Sequence, residues 1–72
     1  MSVESVRQCL IMRFRNRHLD LVPKYGIVNI MDAIDSEAYF VGDVEEIGSS
    51  DINCWMNSVI ESLKRQEEVG LT

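Results

Sequence analysis

The residues with the most chemical potential sit in one run, Arg13-Phe14-Arg15-Asn16-Arg17-His18. Guanidinium groups beside an aromatic ring suit phosphate binding and base stacking. On a helix, successive side chains are about 100° apart. Arg13 and Arg17 then share one side, Arg15 points elsewhere, and Arg17 falls near the apolar stripe. A nucleic-acid interface from this region would use Arg13, Arg15, Arg17 and Lys24. Affinity for such a polyanion grows with the number of phosphates neutralised. The chain carries a net charge of −5, with seven Lys and Arg against twelve Asp and Glu. Nucleic-acid association is therefore the alternative reading, in the form of a regulator that dimerises to double its basic patch.

The opposite charge is gathered in the middle of the chain. Asp32, Asp35, Glu37, Asp43, Glu45, Glu46 and Asp51 lie in residues 26–51, which hold no Lys or Arg. A calcium loop beginning at Asp43 is excluded by its missing ligands. Glu45 and Gly48 fit, but Ile47 and Cys54 stand where oxygen ligands are required. A carboxylate cluster does steer association with a basic partner. A protein-docking surface of Asp35, Glu37, Asp43, Glu45 and Glu46, with Tyr39 and Phe40 as apolar contacts, is the leading expectation. Aromatic residues are enriched at interface cores. Met12, Leu19, Tyr39 and Phe40 all fall outside the main apolar stripes.

Other chemistries lack their residues. Cys9 and His18 are not at a metal-ligand spacing, and neither Cys9 nor Cys54 belongs to a C-x-x-C pair. Both cysteines read as free, mostly buried thiols in a reducing cytosol, with a single bridge between them as the alternative. No Gly-rich phosphate loop or nucleophile elbow is present. Gly48-Ser49-Ser50-Asp51 offers backbone N–H groups at a helix start, where anions bind, and a helix cap accounts for the same residues. The reading is a non-enzymatic protein with no cofactor and no metal. The start of the chain does not read as a signal peptide, because Glu4 and Arg7 interrupt its apolar residues. No apolar run approaches the roughly 20 residues needed to span a bilayer. The expected location is cytoplasmic.

Three amphipathic segments must position these residues. The first, about residues 2–22, places Val3, Val6, Leu10, Phe14 and Leu21 on one face. Ser2 is its expected cap, and Pro23 to Gly26 reads as a connection, with Val22 pushed towards extended geometry. The second, about 25–41, carries Ile27, Ile30, Met31, Ile34, Ala38 and Val41 and ends at Gly42. The acidic loop 42–50 has room for one helical turn at 43–46 and is pinned by Val44 and Ile47. The third segment, about 51–68, has Ser49 or Ser50 as cap and Asp51 in its first turn. It carries Ile52, Trp55, Met56, Val59, Ile60 and Leu63, with Glu61 and Arg65 as an i, i+4 pair. Gly70 ends it, and residues 71–72 are expected to fray.

These segments predict an all-α protein, a small three-helix bundle forming one domain over 1–72. The expected core is Leu10, Phe14, Ile27, Ile30, Ile34, Val59, Ile60, Leu63 and much of Trp55. A domain this small buries only roughly 60% of its unfolded surface, so a homodimer would ease a marginal core.

The stretch Phe40-Val41-Gly42-Asp43-Val44-Glu45-Glu46-Ile47-Gly48-Ser49-Ser50-Asp51, followed by Trp55, resembles a segment of short uncharacterised proteins from bacterial phages, prophages and plasmids. It covers about a sixth of the chain. The resemblance implies a mobile-element setting and an accessory protein that binds another macromolecule. It implies no chemistry.

Overall fold

The computed structural model describes residues 3–70, with side chains through Glu67. Over these residues the protein is all-α. Its helices are α1 (Val3–Arg17), α2 (Val22–Tyr25), α3 (Ile27–Val41) and α4 (Ser49–Gly70), with a 3-10 turn at Leu19–Leu21 between α1 and α2. The long helices α1, α3 and α4 pack pairwise, α1 against α3 most extensively. The expected cap Ser2 and the expected fraying at 71–72 lie outside the described residues.

Pro23 acts further upstream than its position suggests. Its ring would clash with the carbonyl of Leu19 in a continuous helix, and it has no N–H to donate. The α-helix stops at Arg17, His18 leaves helical geometry with ψ near 22°, and the chain tightens into the 3-10 turn. Pro23 then opens α2, where its fixed φ suits a first turn. The expected helix through Val22 and the expected connection at 23–26 are both corrected here. Val22 is also helical rather than extended (φ −60°, ψ −48°). Leu21 and Val22 pack against the core, and that packing outweighs the local bias before proline.

The α2–α3 junction turns on Gly26, whose φ of 86° is costly for any side chain. The Asn29 amide donates to the Tyr25 carbonyl at 2.8 Å and ties α3 back across this junction. Gly42 ends α3 with φ 71° and ψ −152°, and its N–H donates to the Ala38 carbonyl at 3.0 Å. The loop 42–48 contains no helical turn. Val44 and Ile47 pack against the core from it, as expected. Neither serine caps α4. The helix begins at Ser49, two residues earlier than a Ser50 cap requires and one earlier than a Ser49 cap requires, and Gly48 precedes it. The Asp51 carboxylate reaches back to accept the Gly48 N–H at 3.1 Å, and the Gly48 carbonyl accepts from Ile52. A carboxylate in the first turn thus fills the capping role from inside the helix.

The core is Val6, Leu10, Phe14, Ile30, Ala33, Ile34, Ala38, Met56, Val59 and Leu63. Trp55 and Ile60 are half-buried at its edge. Ile27 is 53% exposed. It lies on the apolar stripe but opens α3, a full turn ahead of the first buried residue, Ile30.

Candidate functional site

α3 and α4 run antiparallel. The loop 42–48 joins the end of α3 to the start of α4, and Tyr25 and Asn29 share a cleft with Leu63, Gln66 and Glu67 at the other end. A groove of about 570 Å3 runs between the two helices. Its lining alternates small side chains (Ala33, Ser36, Ser58, Ser62) with Glu37, Glu61 and Arg65, and no residue of α1 contributes to it. Phe40 stands at its rim, 87% exposed, beside Tyr39 at 81%. Both aromatic residues lie in the last turn of α3. The helical period of Ala33, Glu37 and Phe40 puts all three on the flank facing α4, and the remainder of the core stripe points inward.

The groove holds charge of both signs. Glu37 is half-buried, and desolvation pushes its carboxyl above the ordinary range. Glu61 and Arg65, expected to pair, make no ion pair with each other. Both instead line the groove. Beyond Phe40 the exposed carboxylates of Asp43, Glu45 and Glu46 occupy the loop.

Asp35 is placed differently from the other expected docking residues. It projects on the α1 side of α3 and accepts from Arg7 Nε at 2.6 Å. Arg7 also meets Glu4 at 3.3 Å, and Asp35 is the main reason its guanidinium pKa is raised. The structure therefore gathers Glu37 and Phe40 in the groove, leaves Tyr39, Asp43, Glu45 and Glu46 exposed outside its lining, and ties Asp35 to α1. Missing from the expected set are Glu61 and Arg65. Their sequence signal was only an i, i+4 spacing, which reads equally well as a helix-stabilising pair.

The basic residues are not a single patch. Arg13 and Arg17 line a cleft with His18, Asn53, Met56 and Asn57, and Arg13 donates to the Asn53 side-chain oxygen. Arg15 is exposed and does not line that cleft. Lys24 lies in a separate cleft, 3.8 Å from Glu67 and 5.3 Å from the centre of the Tyr25 ring. Both cysteines are free, but Cys54 is exposed and Cys9 only half-buried. The expectation of buried thiols is corrected, because Cys54 lies on the outer side of α4, away from Met56, Val59 and Leu63.

Met12 and Leu19 are exposed, as their position off the stripes implied, and Val28 joins them. Among the described residues, no three His, Cys, Asp or Glu side chains converge as metal ligands. No helix there is long and apolar enough to cross a membrane. Compared with protein-family models, curated proteins and solved structures, the chain matches none of them.

Proposed function

We propose that this protein is a non-enzymatic binding module that takes an amphipathic helix of a basic protein partner into the α3–α4 groove. The observation that carries the reading is Phe40, a large apolar side chain almost wholly in water at the rim of a groove that α1 leaves uncovered. A helix docks in a groove by setting apolar side chains along its length. The small residues Ala33, Ser36, Ser58 and Ser62 let a partner backbone approach closely. Phe40 and Tyr39 supply aromatic anchors, the type of residue that dominates binding energy. Lys or Arg on the partner would meet Glu37 and Glu61 within the groove, and the exposed Asp43, Glu45 and Glu46 of the following loop would attract a basic partner at longer range. The resemblance of residues 40–51 to phage, prophage and plasmid proteins adds a bacterial, cytoplasmic setting to the proposal.

Charge reversal tests it. A triple variant, Asp43→Lys, Glu45→Lys and Glu46→Lys, should bind a partner captured from bacterial lysate more slowly and with less dependence on salt. Unchanged affinity and salt dependence would remove the acidic surface from the account. Light scattering on the purified protein reads the competing occupant: a dimer broken by Phe40→Ser would give the groove to a second copy of the chain.

A further inference from the structure

We infer that the cleft between the end of α1 and the first half of α4 is a binding site for a small phosphate-type oxyanion, held by Arg13, Arg17, His18, Asn53 and Asn57. This site is independent of the α3–α4 groove, although Asn57 borders both.

The charge pattern is the first argument. The groove and the cleft at the opposite end of α3 and α4 both contain carboxylates beside their cations. This cleft is lined by Arg13, Arg17, His18, Asn53, Met56 and Asn57, with no acid. Arg7 is neutralised by Asp35 and Glu4, and Lys24 by Glu67. Arg13 and Arg17 have no carboxylate partner among the described residues. Two guanidinium groups one turn apart repel modestly on a helix surface, and here no carboxylate among the described residues offsets them although the chain carries five more acids than bases.

Geometry is the second. Arg13 is anchored from across the cleft, because its guanidinium donates to the Asn53 side-chain oxygen. With that oxygen engaged, the Asn53 amide N–H groups remain as donors. Asn57 stands one turn further along α4, on the same flank. His18 is half-buried, with its ring 6.1 Å from that of Phe14. Donors from two helices thus face a cleft of about 350 Å3 with Met56 at its base. A water molecule's share of liquid volume is about 30 Å3, so the cleft has room for a tetrahedral anion and an attached organic group. Guanidinium pairs are well suited to phosphate oxygens. Stabilisation of the α1 C-terminus accounts for Arg15 and Arg17, both in its last turn. It does not account for Arg13 or for the asparagines on α4.

The probe is sodium phosphate, titrated at millimolar concentrations into isotopically labelled protein against sodium chloride at equal ionic strength. Nuclear magnetic resonance follows the Nε–H signals of Arg13 and Arg17 and the side-chain amides of Asn53 and Asn57. Saturable shifts of these signals together, with phosphate and not chloride, are expected. Arg13→Gln and Arg17→Gln should each weaken binding about ten-fold while leaving the helical circular dichroism intact. Lys24→Gln should change nothing. Glycerol phosphate binding more tightly than phosphate identifies a phosphate monoester as the ligand class; equal affinity identifies free phosphate. Linear shifts spread over the surface, the same response to chloride, or binding of a single-stranded oligonucleotide with neither phosphate compound saturating would overturn the inference.

Discussion

Two ionised side chains show how differently a charge can be used on this small surface. Asp35 is held by Arg7 across α1 and α3, but both groups meet solvent, so the pair is screened and weak. Asp35→Asn should lower the urea midpoint slightly at low salt, and the difference should vanish in concentrated salt. A loss that persists at high salt would contradict a screened surface pair. Glu37 is the opposite case. Burial disfavours its carboxylate, so the folded chain binds that proton more tightly than the unfolded chain. The associated stability is whole below the ordinary carboxylate range and is lost as pH rises through the raised folded value. Glu37→Gln should therefore be more stable than wild type at neutral pH, with the gap closing on acidification. Urea midpoints across that range check the sign; a gap that widens in acid would contradict it. If the groove takes the proposed basic partner, that partner's Lys or Arg would offset this penalty.

At the scale of elements, the junctions make separate demands from the core. Gly42 has φ 71° and ψ −152°, and nothing lies within 4 Å of where a Cβ would stand. Gly42→Ala should destabilise the fold by about 1–3 kcal/mol through backbone strain alone, read from urea unfolding. Leu10 is fully buried, and Leu10→Ala should cost about 3 kcal/mol through lost packing and the cavity left behind. Equal stability of either variant and wild type would contradict its assigned place. The contrast also explains what the sequence made legible. The 3.6-residue stripes located α3 and α4 within about two residues and identified Leu10, Phe14, Ile30, Ile34, Val59 and Leu63 as core, because burial selects for that period. The break at His18 was not legible. Its cause is a proline five residues downstream, combined with packing of Leu21 and Val22 that only the tertiary structure supplies. Tyr39 and Phe40 were legible as residues off the stripe. The groove beside Phe40 was not, since it depends on the small side chains of two helices meeting in space.

For the whole molecule, the folded shape of 40 × 22 × 19 Å separates charges that the sequence merely orders along the chain. Part of the early basic excess is spent internally, as Arg7 and Lys24 pair with acids from α3 and α4. The acids of the loop 42–48 stay in solvent next to the two most exposed aromatic residues. The acidic loop and the exposed aromatic pair thus lie at one end of the α3–α4 pair, the uncovered groove runs from Phe40 along α4 to Arg65, and the cationic cleft opens between α1 and α4. The central claim is that the aromatic pair and the groove bind a protein, and Phe40 tests it most directly because it can be replaced without disturbing the core. Tagged wild-type and Phe40→Ser proteins, first shown to have the same thermal midpoint, would be used to capture partners from a nuclease-treated bacterial lysate. The account predicts a stoichiometric basic protein retained by wild type and lost by Phe40→Ser. The same protein retained equally by both would contradict it.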